Sequence, residues 1–126
     1  CGDSDHVTKV VRLDSSDMAV QEIHAEELMK QRNSGVNAVL VDVREEHEYI
    51  AGHIPGAINI PLSQIVDRVD EMKGHATMYI VCQLGGRSMR ACEFVESHGI
   101  VAINIAGGTT AWGDLGGALV TGEQPE

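Results

Sequence analysis

The sequence is poor in positive charge. It has nine Lys and Arg against 19 Asp and Glu, which gives its 126 residues a formal net charge of −10 at pH 7. The nine cations are scattered along the chain and form no basic stripe. Because phosphate backbones and anionic lipid surfaces are bound by clustered cations, we expect neither nucleic acid nor a membrane as a partner. An anionic ligand would have to be held by local groups against an unfavourable overall field.

Long apolar runs and cysteines are also scarce. No stretch approaches the roughly 18 consecutive apolar residues of a membrane span. The three cysteines form no disulfide framework and lack the Cys and His spacing of a zinc site. We therefore expect no metal and no cofactor, and a reducing compartment such as the cytoplasm. We interpret the start of the chain at Cys1 as a boundary effect rather than as a processed lipoprotein end.

Short apolar runs alternate with amphipathic stretches along the chain. The runs lack a polar face, which is typical of strands buried on both sides in a parallel sheet. This alternation predicts an α/β layer fold with a largely parallel sheet covered by helices. We predict strands at 7–13, 38–43, 57–60, 77–82 and 100–105, and a short strand that begins at 20 and leads into a helix at 24–33. Further helices are predicted at 61–74 and 87–99, helical turns within 44–57 and 106–117, and a break at 14–17. The helix at 61–74 has Leu62, Ile65, Val66, Val69 and Met72 on its apolar face.

Nothing in the chain marks a second domain. The length suits one domain, and no repeat, low-complexity segment or linker divides it. We predict an N-terminal lead-in at 1–19 and a single folded domain at 20–126.

Cys82 ends the predicted strand at 77–82 and is followed by a loop that opens a helix. In open parallel sheets, ligands bind at the carboxyl ends of strands. N–H groups at a helix start have no intrahelical partner, and Gly85 and Gly86 allow the loop to curve around an anion. With Arg87 at the rim, such a thiol should have a lowered pKa. The alternative is a buried free cysteine before an ordinary glycine-rich turn, and the segment alone leaves both interpretations open.

Three segments resemble the signature motifs of the rhodanese-like sulfurtransferase family. The stretch at 40–62, LVDVREEHEYIAGHIPGAINIPL, resembles its first signature. The stretch at 79–94, YIVCQLGGRSMRACEF, resembles its active-site loop and helix, and INIAGGTTAW at 103–112 resembles its closing motif. The motifs come in the family's order and spacing, and the resemblance covers about residues 20–122. It implies a rhodanese-like three-layer sandwich with a five-stranded, mainly parallel sheet between helices.

The resemblance also implies an activity. Cys82 would accept a sulfane sulfur from a donor such as thiosulfate, become a persulfide, and pass the sulfur to cyanide or a thiol in two half-reactions. A sulfur-accepting protein is a second kind of acceptor. Arg44 of the first motif would bind donor anions, or pair with Glu48 or another acid. The persulfide would be surrounded by the loop residues Gln83, Leu84, Gly85, Gly86, Arg87 and Ser88.

The loop departs from many thiosulfate-using members in its charge. Those members have a basic residue directly after the cysteine, whereas Gln83 and Leu84 are neutral. With a chain at −10, we expect weak binding of the doubly charged thiosulfate and keep a low-molecular-weight persulfide or a protein persulfide as the alternative donor. Four residues separate Cys82 from Arg87, one fewer than in phosphatase-like relatives, so the loop length favours a sulfurtransferase.

Two other functions are compatible with parts of the sequence. A rhodanese-fold module could bind a partner, or deliver sulfur only within a protein complex. The intact Cys82 and its loop argue against an inert module. A phosphatase or arsenate reductase would use a related loop, but the loop length argues against this activity.

The remaining motif residues have structural interpretations. Cys92 is assigned to the core. Ser88 can cap its helix or donate a hydrogen bond to the Cys82 sulfur; the two roles are compatible, and capping is favoured. Asp42 is expected to hold backbone N–H groups and His53 to make a structural hydrogen bond. We further expect close backbone approach at Gly107 and Gly108, core packing of Trp112, and a solvated helix face at Glu45, Glu46 and Glu48.

Overall fold

The computed structural model describes residues 9–12, 19–36, 38–74 and 77–126. The predicted break at 14–17 and the interpretation of Cys1 lie outside the described residues. Within the described ranges, no helix is long and apolar enough to cross a bilayer. The elements follow one another as β1 (Lys9–Arg12), β2 (Ala19–His24), α1 (Ala25–Asn33), β3 (Val39–Asp42), α2 (Glu46–Ala51), β4 (Ile58–Asn59), a 3-10 turn (Leu62–Gln64), α3 (Ile65–Arg68), a second 3-10 turn (Val69–Met72), β5 (Met78–Val81), α4 (Gly86–Glu96), β6 (Ala102–Ala106) and α5 (Gly108–Asp114).

The strands of the described part of the chain form one sheet in the order β1-β2-β6-β5-β3-β4. The first pair, β1 and β2, is antiparallel, and every other pair is parallel. The five parallel strands carry apolar clusters and helices on both faces. The predicted α/β sandwich with a mainly parallel sheet is therefore confirmed, and β1, within the strand predicted at 7–13, adds an antiparallel edge.

Each face of the sheet has its own apolar cluster, because successive side chains of a strand point to opposite faces. On β5, Ile80 belongs to one cluster, and Tyr79 and Val81 belong to the other. Cys82, the next residue, shares the first cluster with Cys92 of α4. The predicted core position of Cys92 is confirmed: the residue is 1% exposed, and burial raises the pKa of its thiol.

The segment at 61–74 is not the single amphipathic helix that its spacing predicts. Two 3-10 turns flank the four residues of α3. Ile65 and Met72 are buried, but Val66 is 65% exposed. One residue of an α-helix turns the chain by about 100°, so the neighbour of Ile65 falls outside a narrow buried stripe. The predicted core position of Val66 is therefore wrong.

Candidate active site around Cys82

The carboxyl ends of three neighbouring parallel strands bring the predicted motifs together. β3 ends at Asp42, β5 at Val81 and β6 at Ala106, and β5 lies between the other two strands. Cys82 directly follows β5, so its loop lies between the segment that carries Arg44 and the turn that follows β6. Ligand sites of parallel sheets lie at this edge.

The turn after β6 holds the backbone of the Cys82 loop. The N–H and the hydroxyl of Thr109 both donate to the Cys82 carbonyl oxygen, at 2.9 and 3.1 Å. The Thr110 N–H donates to the Gln83 carbonyl oxygen at 3.1 Å. Gly108 precedes these threonines with a φ of +61°, and a Cβ atom there would lie 2.5 Å from both carbonyl oxygens. The predicted close backbone approach is confirmed at this glycine.

The sulfur of Cys82 is buried but hydrogen-bonded. The residue is 1% exposed. The Gly85 N–H donates to Sγ at 3.1 Å, and the Ser88 Oγ lies 3.3 Å from it. Burial alone would raise the pKa of the thiol, but hydrogen bonds from the Ser88 hydroxyl and from the N–H groups of Ser88, Gly85 and Leu84 outweigh burial and lower the pKa below its ordinary value.

Ser88 does not cap α4, so the favoured prediction for its side chain is wrong. The helix begins at Gly86 with Gly85 at the N-cap, which makes Ser88 its third residue, and the side chain is buried. Its Oγ lies 2.5 Å from Asn104 Oδ1 as well as 3.3 Å from the Cys82 sulfur. The Gly85 carbonyl oxygen, 3.2 Å from the hydroxyl, is a third acceptor. A hydroxyl has one proton, which we assign to Asn104 beside a neutral thiol and to the sulfur once the charged thiolate forms.

Asn104 is a residue of the site that the sequence analysis missed. It lies on β6 and is 1% exposed, and its Nδ2 donates to a carboxylate oxygen of Glu22 at 2.8 Å. A hydrogen-bonded chain therefore runs from Glu22 through Asn104 and Ser88 to the Cys82 sulfur. The sequence held a signal, because an amide within the apolar run at 103–105 must find hydrogen-bond partners once it is buried.

Arg44 is almost fully buried, at 3% exposure. Its guanidinium donates to both oxygens of Asp42, with Nη2 2.9 Å from Oδ2, and to the Gly52 carbonyl oxygen at 2.7 Å. Asp42 also accepts the Arg44 N–H at 2.9 Å, which confirms the predicted backbone contact of this carboxylate. The acid that pairs with Arg44 is therefore Asp42 and not Glu48. Donor binding by Arg44 stays a prediction.

Gln83 connects the first motif to the closing motif. Its Oε1 accepts a hydrogen bond from Arg44 Nη1 at 3.0 Å. Its Nε2 donates to the Thr110 Oγ1 at 2.6 Å. The neutral residue after the cysteine thus bridges a buried arginine and a threonine. The next residue, Leu84, is 68% exposed.

Arg87 forms a bidentate ion pair with Glu48 of α2. Its Nη1 donates to Oε1 at 2.8 Å and its Nη2 to Oε2 at 3.0 Å. The hydrogen bonds from Arg87 lower the pKa of the Glu48 carboxyl to about 2, so Glu48 is charged at neutral pH. The predicted solvated helix face is therefore wrong at Glu48, whose side chain is only 27% exposed, because α2 begins at the same sheet edge as the Cys82 loop.

A cavity of about 300 Å³ opens at this edge of the sheet. Its walls combine two carboxylates, one guanidinium, two threonine side chains and one large apolar side chain. Leu119, the apolar residue, is 47% exposed. We call this cavity the mouth of the site because Gln83 of the Cys82 loop forms part of its wall; Cys82 and Arg87 are not among the residues that line it, which are Arg44, Glu48, Ala51, Gly52, Gln83, Thr109, Thr110, Gly113, Asp114 and Leu119.

His53 makes structural contacts, as predicted. The residue is fully buried, with Nδ1 2.8 Å from the Tyr49 carbonyl oxygen and Nε2 2.9 Å from the Gln124 carbonyl oxygen. Its ring also stacks on that of Tyr49. These contacts tie the C-terminal segment to α2. Across the described ranges, no three His, Cys, Asp or Glu side chains converge where a metal ion could sit.

Comparison with known proteins identifies the family. A family model of the rhodanese-like domain matches residues 24–115. The chain belongs to the rhodanese-like family. The crystal structure of a rhodanese-like domain protein from Staphylococcus aureus has a TM-score of 0.73 and 37% identity, and the match covers 80% of this chain and 97% of that one. The predicted resemblance and fold are thereby confirmed.

Two curated relatives illustrate what this rhodanese-like chain is similar to. A sulfurtransferase from Allochromatium vinosum is 32% identical over 105 residues, which cover 82% of this chain and 98% of that protein. The uncharacterized protein YqhL of Bacillus subtilis is 44% identical over 77 residues, which cover 60% of this chain. The match spans 61% of the length of YqhL. The family and its sulfurtransferase relatives support sulfur transfer at the level of the family.

Proposed function

We propose that this protein is a sulfurtransferase that carries a sulfane sulfur as a persulfide on Cys82. The observation that carries the proposal is the environment of the sulfur. It is buried, yet hydrogen bonds from the Gly85 N–H and from Ser88 hold the pKa of the thiol below its ordinary value. A lower pKa increases the thiolate fraction at neutral pH, and the thiolate is the nucleophile.

In the first half-reaction, the Cys82 thiolate attacks the outer sulfur of the donor. A new S–S bond forms at Sγ, the S–S bond of the donor breaks, and the leaving group departs with the electron pair. For thiosulfate the leaving group is sulfite. For an organic persulfide it is a thiolate, which takes up the proton of the transferred sulfur. Either donor leaves an anionic persulfide on Cys82.

The loop from Gln83 to Ser88 forms the proposed persulfide-binding site. The Gly85 N–H already donates to Sγ. The Ser88 hydroxyl, which also faces Asn104, supplies a second donor when charge develops on sulfur. The Gly85 N–H is fixed before the reaction and can therefore stabilise an anion without a reorganisation cost, whereas the Ser88 hydroxyl turns toward the sulfur.

In the second half-reaction, cyanide or an acceptor thiolate attacks the terminal sulfur. The Sγ–S bond breaks, and Cys82 leaves as a thiolate with the electron pair. The products are thiocyanate or an acceptor persulfide, and the site returns to its starting state.

Intact-mass spectrometry after incubation with thiosulfate or an organic persulfide tests the proposal. We expect the mass of one added sulfur atom, lost again on addition of cyanide with release of thiocyanate. Cys82→Ser should abolish both events, whereas the matched variant Cys92→Ala, at the buried helical cysteine, should retain them. Thiocyanate formation by Cys82→Ser would rule out Cys82 as the carrier.

Delivery of sulfur to a protein acceptor is the second candidate function. Two large apolar side chains are solvent-exposed: Leu84 of the Cys82 loop is 68% exposed, and Leu119, which lines the mouth, is 47% exposed. Exposed apolar groups beside a reactive sulfur are suited to contact with a protein surface. Leu84→Ser should weaken transfer to a protein acceptor and leave transfer to small thiols unchanged. Efficient transfer to small thiols by the wild type, with no protein partner in a pull-down, would count against this function.

The domain and its compartment complete the proposal. We assign the sulfurtransferase domain to residues 20–126, with 1–19 as its lead-in. The two cysteines that the structure describes, Cys82 and Cys92, are both free thiols. A reducing compartment such as the cytoplasm would keep them so.

A further inference from the structure

Both arginines predicted to bind anions have carboxylate partners. Arg44 bonds to Asp42 on the inner side of the mouth, with the shortest distance 2.9 Å. Arg87 bonds to Glu48 through two parallel hydrogen bonds of 2.8 and 3.0 Å. In each pair the carboxylate compensates the charge of the guanidinium, so neither pair has a net positive charge. A dianion that approaches Cys82 therefore meets no uncompensated guanidinium at these two positions.

The other groups at the mouth add no positive charge. Among the ten residues that line it, Arg44 is the only cation, while Glu48 and Asp114 are carboxylates. The whole chain adds a net charge of −10. Leu119 contributes an exposed apolar surface on the same wall. With two carboxylates and one cation on its walls, the mouth disfavours a small, highly charged anion.

Glu48 is held in place independently of Arg87. It is the third residue of α2 and closes a capping box with Glu45, whose N–H donates to the Glu48 Oε1 at 2.9 Å. The same carboxylate therefore anchors the first turn of α2 and faces the guanidinium of the Cys82 loop. The hydrogen bond from the Glu45 N–H thus holds the Glu48 carboxylate where it meets the Arg87 guanidinium.

We propose that Glu48, by neutralising Arg87, makes the site discriminate against dianionic sulfur donors such as thiosulfate in favour of organic sulfane donors with one negative charge or none. This inference rests on the proposed sulfur transfer through Cys82. Glu48 acts through its charge: it neutralises Arg87 and is one of the two carboxylates that line the mouth. The Coulomb attraction between Arg87 and a donor grows with the charge of the donor, so the discrimination grows in the same way.

Two donors with the same chemistry and different charges test the proposal. Thiosulfate carries two negative charges and leaves as sulfite, whereas benzenethiosulfonate carries one and leaves as benzenesulfinate. In both reactions the Cys82 thiolate takes the outer sulfur, one S–S bond forms and one breaks. The comparison therefore changes the charge and the organic group of the donor while the bonds made and broken stay the same.

Glu48→Gln removes the charge and keeps an amide oxygen that can accept the Glu45 N–H. We expect the KM for benzenethiosulfonate to fall about threefold and that for thiosulfate about tenfold, since a second donor charge squares the effect of the first. The kcat values should change little, because donor and transition state carry the same total charge. The decrease in KM should become smaller at an ionic strength of about 1 M, where the screening length falls to about 3 Å.

Glu46→Gln is the matched control. Glu46 lies on the same helix, is exposed, and is not among the residues that line the mouth; its substitution changes the net charge by the same amount. It should leave both KM values close to those of the wild type. If Glu48→Gln does not fold, Glu48→Ala removes the same charge and takes its place.

Three outcomes would overturn the inference. Equal gains for both donors, equal gains in the Glu46 and Glu48 variants, or an unchanged KM for thiosulfate in a folded Glu48 variant would each contradict a charge effect through Arg87. Failure of the proposed function would give a result that can be distinguished from these three. Wild-type protein that transfers sulfur from neither donor and gains no mass on Cys82 would remove the reaction on which the inference rests.

Discussion

The hydroxyl oxygen of Ser88 lies 3.3 Å from the sulfur of Cys82 in the interior of the protein. Both residues are buried, at 0% and 1% exposure. In such surroundings a hydrogen bond to a charged acceptor is stronger than in water. The hydroxyl also lies 2.5 Å from Asn104 Oδ1, so its proton has an acceptor in both charge states of the thiol. Stabilisation of the thiolate by Ser88 therefore requires the hydroxyl proton to turn from Asn104 to the sulfur.

Ser88→Ala should raise the pKa of the Cys82 thiol. The substitution removes a donor that counteracts burial, and loss of one hydrogen bond to a charged group shifts a pKa by about one unit. The pH dependence of kcat/KM should move to higher pH by the same amount, with a similar plateau. The pKa can be measured by titrating the thiolate absorbance with pH. Subtracting the titration of Cys82→Ser removes the contribution of the other cysteines.

Ser97→Ala is the matched control for Ser88→Ala. Ser97 follows the same helix, α4, and is exposed, and its hydroxyl donates to the Phe94 carbonyl oxygen. We expect the pKa of the Cys82 thiol to be unchanged in this variant. An unchanged titration in Ser88→Ala as well would mean that the backbone N–H groups alone lower the pKa.

Gly108→Ala should disrupt the contact between the closing motif and the Cys82 loop. A Cβ atom would lie 2.5 Å from the carbonyl oxygens of Cys82 and Gln83, and the backbone has a φ of +61°. Strain and overpacking together should cost about 3 kcal/mol in the free energy of unfolding. Urea denaturation measures this loss. Gly113→Ala on the same helix, where a Cβ atom meets nothing within 4 Å, should be neutral or slightly stabilising, and equal losses would exclude a steric cause.

Acid should remove the stabilising contribution of the Arg87–Glu48 pair. The pKa of Glu48 is lowered to about 2, chiefly by hydrogen bonds from Arg87, so the pair stabilises the fold fully above the ordinary carboxyl pKa of the unfolded chain. This contribution is lost as the pH falls from about 4.5 through the folded value of about 2. Because the groups are partly exposed, we expect it to be only about 1 kcal/mol.

Urea unfolding of wild type and Glu48→Gln at a series of pH values checks this expectation. The difference between the two free energies of unfolding should be constant at neutral pH and narrow below about pH 4.5. Glu46→Gln should show no such narrowing. A difference that stays constant down to pH 2 would show that the ion pair does not stabilise the fold.

The placement of Cys82 was predictable because it depends on two local patterns. The run at 77–82 is apolar on both faces, which identifies a central parallel strand. Gly85 and Gly86 after it identify a turn into a helix. Parallel strands then place this turn at the edge of the sheet where ligands bind. The close approach at Gly108 was predictable for a similar reason, since paired glycines indicate backbone contact.

The ion pairing at the mouth was not predictable in the same way. Glu48 and Arg87 are 39 residues apart, and the charge pattern of a short helix is the same whether its acids are solvated or paired. Only the fold brings α2 next to the Cys82 loop. Asn104 was overlooked for a different reason: a single amide does not change the apolar character of its strand, although it requires partners once it is buried.

The exposed position of Val66 gives the last prediction. The sequence places Val66 and Val69 on one apolar face, but the structure leaves Val66 65% exposed and Val69 8% exposed. Val69→Ala should therefore lower the free energy of unfolding by about 2 kcal/mol, whereas Val66→Ala should change it by less than about 0.5 kcal/mol. The two variants delete the same atoms from neighbouring turns, so each is the control for the other. Urea midpoints at constant m-value measure the difference. Equal losses of stability would contradict the exposed position of Val66 and support the continuous amphipathic helix that the spacing predicts.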